Sequence, residues 1–144
     1  MNEERTPYYR FVQGPERERL EYAILEKWGY CLDYWYPLTG EFDEGKLFLN
    51  AARIYPYWNR LCKIVGLPEK RIYEYGESFF QSGGQLAETD EMDGYGCCET
   101  VYLPKDLSWI IYVSHEDTVT FAGSILGAVK ELLADEREHW NKWE

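Results

Sequence analysis

Two segments of the chain carry apolar residues at helical spacing, and they predict a helix near each end. The first helix begins at Gly14 and Pro15, because a proline followed by acidic residues is typical of a first helical turn. Its apolar stripe, which we expect to pack on a sheet, consists of Leu20, Ala23, Ile24, Trp28 and Cys31. The second helix follows Gly123 and Ser124, and one of its faces consists of Ile125, Leu126, Val129, Leu132, Leu133 and Glu136.

Residues 45–67 hold a further helical pattern. Pro56 starts a turn there, and Gly66 and Pro68 end the pattern. Its buried face is predicted to consist of Trp58, Leu61, Cys62 and Val65. Residues 31–38, which include three consecutive aromatics, form either the last turn of the first helix or a short strand.

The remaining short apolar segments predict strands. These segments are 70–75, 98–103, 109–114 and 118–121, and the third is rich in β-branched and aromatic residues. The polar tetrapeptide 114–117 is expected to be the hairpin loop between the last two strands. The longest predicted loop contains residues 82–84 and 88–96, which are rich in glycine and acidic side chains. Loops of this kind commonly carry binding residues on a rigid scaffold.

These elements predict one α+β domain over residues 1–144. Its antiparallel sheet is a meander flanked by helices at both ends. A chain of 144 residues lies within the usual single-domain range. Aromatic residues make up 17% of the chain, a share that argues against disorder.

The charge of the chain is strongly acidic. Asp and Glu number 26 against 15 Lys and Arg, which gives a net charge of -11. A surface of this sign repels phosphate backbones and anionic lipid headgroups, so neither nucleic acid nor a membrane is expected as a partner. The same field attracts a basic protein and speeds its encounter. Acidity also serves solubility alone, and both explanations stay open at this stage.

The N-terminus and the cysteines predict a cytoplasmic protein. Residues 1–5 include acidic side chains where a signal peptide needs a basic region, and no apolar stretch reaches the length of a membrane span. Cys31, Cys62, Cys97 and Cys98 form neither a CxxC pair nor a regular disulfide spacing, which favours reduced thiols. A vicinal disulfide between the adjacent Cys97 and Cys98 is the alternative.

Residues 114–117 are Ser, His, Glu and Asp, the residue types of a hydrolytic triad. Consecutive residues cannot place a nucleophile, a base and its orienting acid along one line of hydrogen bonds, so we expect no triad within this segment. The alternative is a small hydrolase or transferase in which His115 works with Glu116 or with a cysteine from elsewhere in the chain.

Cofactor and metal motifs are incomplete. The acidic run that ends at Gly94 resembles a calcium loop, but Thr89 and Thr100 occupy its first and last ligand positions. Gly83 and Gly84 lack the Lys-Ser/Thr of a phosphate loop. With two histidines and scattered cysteines, a zinc site is poorly supplied. We therefore expect no cofactor and no metal.

Two acidic segments lie beside aromatic residues and are the candidate partner-binding residues. The first consists of Glu41, Asp43 and Glu44, which follow the aromatic run 34–36; the second consists of Glu88, Asp90, Glu91 and Asp93, which precede Tyr95. Carboxylates pair with the lysines and arginines of a basic surface, while an aromatic ring supplies buried contact area. The alternative is that the aromatics are core residues and the acids a solvated face.

The run DLSWIIYVSHEDTVTFAG, residues 106–123, is followed by a predicted helix. It resembles the ending of many small bacterial proteins, including immunity proteins of polymorphic and contact-dependent toxin systems. The resemblance covers the last third of the chain. It implies a cytoplasmic protein that binds and neutralises one cognate protein toxin, without catalysis or cofactor. We expect the acidic, aromatic-bearing surface to cover a basic toxin such as a nuclease.

A third hypothesis is a regulatory or structural oligomer subunit. In that case the chain forms a homodimer that buries Trp140 and Trp143 near the C-terminus. A dimer of this kind would depend on protein concentration.

Overall fold

The computed structural model describes residues 5–30, 45–77, 84–94 and 99–143. Within them the chain forms one antiparallel sheet of seven strands in the order β1-β4-β3-β5-β6-β7-β2. The strands are β1 Tyr9–Phe11, β2 Lys46–Asn50, β3 Ile72–Gly76, β4 Gln85–Thr89, β5 Thr100–Pro104, β6 Trp109–Val113 and β7 Thr118–Gly123. The consecutive strands β5, β6 and β7 form the predicted meander.

The helices lie at both ends of the chain and between its first strands. They are α1 Gly14–Trp28, α2 Ala51–Ile54, α3 Trp58–Ile64 and α4 Leu126–Leu132, with 3-10 turns at Tyr55–Tyr57 and Ala134–His139. Of the helices within the described residues, none is long and apolar enough to cross a lipid bilayer. The predicted α+β class, with an antiparallel sheet between terminal helices, is confirmed.

Each face of the sheet is covered by helices. One apolar cluster joins α2, α3 and α4 to the sheet, and a second joins α1 to the opposite face. Strand β6 contributes to both, because successive side chains of a strand point to opposite faces. Ile111 and Val113 lie in the first cluster and Ile110 and Tyr112 in the second. This is why every position of β6 is buried.

The N-terminal helix begins where its residues predict, but it ends at Trp28, before the predicted stripe position Cys31. Pro15 lies in the first turn, where its missing N–H has no helical partner to lose. Gly29 adopts the left-handed conformation, with φ of 70°, and its N–H bonds to the carbonyl oxygen of Leu25. Ile24 and Trp28 are the buried residues of the stripe, so its packing on a sheet is confirmed. The predicted stripe position Cys31 lies outside the described residues.

Two stretches differ from the predicted elements. Residues 46–50 are not helical but form the strand β2, in which Leu47 and Leu49 alternate into the core and pair with β7. The helix starts only after Asn50, whose side chain accepts a 2.9 Å hydrogen bond from the N–H of Ala52. Residues 85–89, partly assigned to the long loop, form the strand β4, which pairs with β1 on one side and β3 on the other.

The predicted hairpin loop at 114–117 is confirmed. It joins β6 to β7, and the N–H of Ser114 donates a 2.9 Å hydrogen bond to the carbonyl oxygen of Thr118. Asp117 adopts a left-handed conformation, with φ of 64°. The turn therefore holds His115 exposed at one end of the sheet.

The C-terminal residues lie along the edge strand β2. The N–H of Asn141 bonds to the carbonyl oxygen of Phe48, and the N–H of Phe48 bonds to Oδ1 of Asn141 at 3.0 Å. The Trp143 ring packs on that of Phe48, with ring centroids 4.7 Å apart. These contacts cover an edge whose backbone groups would otherwise face another chain. The homodimer through Trp140 and Trp143 stays a prediction.

Candidate functional site

The predicted binding residues fall into two groups in the structure. Glu41, Asp43, Glu44 and Tyr95 lie outside the described residues. Glu88, Asp90, Glu91 and Asp93 are described, and they occupy the end of β4 and the segment after it. The structure brings this second group together and distinguishes two buried acids from two exposed ones.

Glu88 is a buried residue of β4 and not an exposed loop acid. Its carboxylate accepts hydrogen bonds from the Tyr8 hydroxyl at 2.9 Å and from Nε of Arg10 at 3.0 Å, and it pairs with Nζ of Lys105. These three donors balance the charge of the carboxylate within the chain. The predicted loop position of Glu88 is therefore corrected: its carboxylate ties β4 to β1 and to Lys105, the residue after β5.

Asp90 is also buried, and it fixes the N-terminal segment. Its carboxylate accepts a 2.7 Å hydrogen bond from Arg5 and a 3.1 Å bond from the backbone N–H of Tyr8. The more exposed group of this pair is the Arg5 guanidinium, whose side chain is 43% exposed. The expectation of an exposed acid is corrected here as well.

Glu91 and Asp93 are the exposed acids of the segment. Glu91 lies 3.7 Å from Arg5, and its backbone N–H bonds to Oγ1 of Thr89 at 3.2 Å. Asp93 accepts a 3.1 Å hydrogen bond from the Tyr102 hydroxyl. Burial, followed by the nearby Glu74 and Asp93 charges, raises the pKa of Tyr102, so this phenol stays a neutral donor. We call Asp90, Glu91 and Asp93 the acidic rim.

The acidic rim borders a cavity of about 420 Å³. Its other lining residues include Trp58, Cys62, Leu67, Pro68 and Met92. Nε1 of Trp58 donates a 2.7 Å hydrogen bond to the carbonyl oxygen of Met92, which fixes the rim to α3. Burial raises the pKa of the Cys62 thiol, which favours its neutral form on the cavity wall.

This arrangement suits a cationic side chain. Lysine and arginine pack an apolar stem on hydrophobic surface, and their charged groups pair with carboxylates. The cavity offers both, because Trp58 and Leu67 lie beside the acidic rim. Arg5 already forms such contacts within the chain, through Asp90 and Glu91.

A larger cavity of about 800 Å³ lies between α3 and strands β5 and β6. Its lining includes the cations Lys70, Arg71 and Lys105, which would attract an anion. Two of them have partners within the chain: Lys105 pairs with the buried Glu88, and Arg71 lies 3.6 Å from the Tyr8 ring centroid. Glu69 and Asp106 line the same cavity and oppose an anion. The lining of the smaller cavity therefore indicates a class of ligand, a cation, more clearly than the lining of the larger cavity does.

His115 contacts Glu99, the residue that directly precedes β5. Its Nδ1 lies against the Glu99 carboxylate, which also accepts the Tyr112 hydroxyl and, at 3.2 Å, the backbone N–H of His115. The hydrogen bond to Glu99 raises the pKa of His115. Glu77 lies beside them, and its carboxylate accepts a 3.3 Å hydrogen bond from the Glu99 N–H.

The hydrolase or transferase with His115 and Glu116 stays a prediction; Nε2 of His115 lies 4.0 Å from the Glu116 carboxylate. The Ser114 hydroxyl lies 3.5 Å from Glu99 and accepts a 3.0 Å hydrogen bond from the N–H of Glu116, so it is not directed at the imidazole. The described cysteine, Cys62, contacts Met92 on the cavity wall. Cys31, Cys97 and Cys98 lie outside the described residues, so the vicinal disulfide stays a prediction.

Sequence reasoning missed both the cavity wall and the partners of His115. Trp58 was predicted as core, and it is buried, but its indole also faces the acidic rim. Glu77 and Glu99 carry no local motif that joins them to His115. Both relationships depend on contacts between distant segments.

Comparisons with known proteins give no relative from which a function can be carried over. No protein-family model, curated protein or solved structure matches the chain. The proposed function therefore rests on the geometry of the described residues.

Proposed function

We propose that the chain is an immunity-type protein that binds and neutralises a basic protein toxin through the acidic rim. The observation that carries the proposal is the cavity of about 420 Å³ beside Trp58, with the exposed Glu91 and Asp93 at its border. An arginine or lysine of the toxin enters this cavity and pairs with the rim. The net charge of -11 supports the same type of partner.

Arg5 supports the choice of a cation as the binding group. Its guanidinium lies 2.7 Å from Asp90 and 3.7 Å from Glu91, so the rim already accepts an arginine. Glu91 and Asp93 are the exposed carboxylates of the rim. A toxin cation uses these two carboxylates and packs its stem on the cavity wall.

The charge of the chain predicts how binding depends on salt. Complementary charges raise the association rate at low ionic strength, and the gain is lost as salt screens them. The dissociation rate depends instead on the close contacts in the cavity. Association that slows with added salt, with dissociation less affected, is the expected pattern.

The test uses the protein encoded by the adjacent gene, because immunity genes lie beside the genes of their toxins. Cells that produce this protein alone are compared with cells that also produce the present chain, and binding of the two purified proteins is measured by surface plasmon resonance. The binding variant is Glu91→Gln/Asp93→Asn. Its matched control is Glu138→Gln/Asp135→Asn, which changes the net charge equally at two other exposed acids.

The proposal predicts that the chain rescues growth, that the rim variant binds at least tenfold more weakly, and that the control binds like the unaltered chain. Equal weakening by both variants would mean that net charge alone directs binding, and the cavity would then have no role. Absence of binding and of rescue would remove the immunity function.

A further inference from the structure

We propose that Glu77, Glu99 and His115 form a binding site for one divalent transition metal ion, of the Zn²⁺ or Mn²⁺ type. One ligand atom from each residue lies within 4.8 Å of the other two. The site is at the end of the sheet opposite the acidic rim, because Gly76 pairs with Gln85 while the other end of β4, at Thr89, pairs with Ile72. The metal site therefore does not depend on the proposed binding of a toxin at the acidic rim.

The sheet register brings the three residues together. Gly76 at the end of β3 pairs with Thr100 at the start of β5, and Thr100 pairs with Val113 at the end of β6. Glu77 directly follows β3, Glu99 directly precedes β5, and His115 lies in the turn after β6. Three strand ends thus supply one ligand each.

Two like charges converge in this cluster, and His115, which pairs with Glu99, balances one of them only when it is protonated. The described residues contain every lysine and arginine of the chain, and none of these forms an ion pair with Glu77 or Glu99. Carboxylates that approach each other are destabilised unless a positive charge lies between them. A divalent ion supplies that charge.

Contacts around Glu99 hold its carboxylate in place. The Tyr112 hydroxyl bonds to one oxygen and the backbone N–H of His115 to the other, as is common for carboxylates that bind metals. Gly76 permits the close approach of the two strands, because a Cβ at this position would lie 2.3 Å from the carbonyl oxygen of Glu99. The neighbouring N–H of Glu77 bonds to that same oxygen at 2.9 Å.

The donor set indicates the class of metal. One imidazole with two carboxylates suits Zn²⁺ or Mn²⁺, whereas Ca²⁺ takes about six to eight oxygen ligands. Metal bonds of about 2.0 to 2.2 Å place two ligands of one ion within about 4.4 Å of each other. The three ligand atoms lie within 4.8 Å of one another, close to that spacing. Because the His115 side chain is 44% exposed, solvent completes the coordination.

Isothermal titration calorimetry of the reduced full-length chain with ZnCl₂ and MnCl₂ tests the site. The variants are Glu77→Gln and His115→Gln, which alter exposed residues and are expected to keep the fold by circular dichroism. The matched control is His139→Gln, since His139 is the other histidine and also lies near a glutamate, Glu138, at 3.4 Å. We expect one ion per chain, at least tenfold weaker binding in both variants, and unchanged binding in the control.

Two further measurements separate this site from a thiol site. Bound Mn²⁺ is expected to broaden the backbone amide signals of Glu77, Glu99 and His115 in NMR spectra. Replacement of Cys97 and Cys98 by serine, next to Glu99 in the sequence, is expected to leave Mn²⁺ binding unchanged. Lack of binding by the unaltered chain, binding that survives both Glu77→Gln and His115→Gln, or loss only in the serine variant would each overturn the proposal.

Discussion

The indole N–H of Trp58 donates a 2.7 Å hydrogen bond to the backbone carbonyl oxygen of Met92. The two residues are 34 positions apart, and the bond is buried. It joins helix α3 to the segment that carries the exposed acids Glu91 and Asp93. The position of the acidic rim therefore depends on one aromatic side chain, and this dependence can be measured.

Replacement of Trp58 by phenylalanine keeps an aromatic ring but removes the hydrogen-bond donor. We expect the free energy of unfolding to fall by about 1–3 kcal/mol, the usual cost of leaving a buried acceptor without its donor. Urea unfolding measures the change. The control is Trp143→Phe, because Trp143 is 63% exposed and an exposed substitution usually changes stability by less than about 0.5 kcal/mol. Equal losses in the two variants would contradict the role of the Met92 bond.

Gly94 packs against the other side of the same indole. Its φ is +73°, and a Cβ there would lie 2.6 Å from Cε2 and Cζ2 of Trp58. Gly14 provides a matched comparison, because its φ is +62° and a Cβ there would meet nothing within 4 Å. The left-handed backbone alone costs a non-glycine residue about 1–2 kcal/mol.

We therefore expect Gly94→Ala to be more destabilising than Gly14→Ala. The additional loss is about 1–3 kcal/mol, since overpacking displaces the indole. Urea unfolding of the two variants gives the difference. Equal losses would show that backbone conformation, and not contact with Trp58, sets the cost.

Elements with a regular apolar period could be predicted from the sequence. Helix α1 has an apolar stripe and ends at a glycine, and β6 is an uninterrupted apolar run between polar turns. In both, the local pattern and the tertiary packing agree. Strand β2 escaped prediction because its alternation covers five residues and runs directly into α2. A period of two is hard to recognise over so short a span.

Strand β4 and the cluster at His115 could not be predicted, for a different reason. Glu88, near the end of β4, resembles a loop residue in the sequence, because its partners Arg10, 78 positions away, and Lys105 are distant. Glu99 is 22 positions from Glu77 and 16 from His115. Only the register of three strands places them together, and no local pattern of residues encodes that register.

The paired charges of Glu88 predict a non-additive effect. Its side chain is 8% exposed, whereas those of Arg10 and Lys105 are 42% and 46% exposed. Either cation alone still balances the buried carboxylate, so Arg10→Gln and Lys105→Gln are each expected to lower the free energy of unfolding only slightly. The double variant leaves the carboxylate with the Tyr8 hydroxyl and is expected to cost more than the sum, by about 0.5–3 kcal/mol.

A double-mutant cycle from urea unfolding measures this coupling. Arg10 also pairs with Glu16 at 3.0 Å, so Glu16→Gln serves as the control for that second contact. Additive losses in the cycle would mean that Glu88 tolerates burial without either cation.

Tyr9 lies on the edge strand β1. Burial raises its pKa to about 12, and Glu74, which accepts a 2.9 Å hydrogen bond from the Tyr9 hydroxyl, adds to the rise. An unfolded tyrosine ionises near pH 10. The stability that Tyr9 contributes is thus fully present below about pH 10 and is lost as the pH rises through about 12. Between these values the unfolded chain gives up a proton that the folded chain keeps.

Difference titration of tyrosinate absorbance, with the unaltered chain against Tyr9→Phe, measures the ionisation of Tyr9 alone. This comparison is needed because burial also raises the pKa of Tyr55 and Tyr73. We expect Tyr9 to ionise near pH 12 and Glu74→Gln to lower its pKa toward the ordinary value, since a neutral amide no longer opposes the phenolate. Tyr22→Phe, at a residue 66% exposed, is the control for loss of one tyrosine. Ionisation of Tyr9 near pH 10 in the unaltered chain would show that neither burial nor Glu74 acts on its hydroxyl.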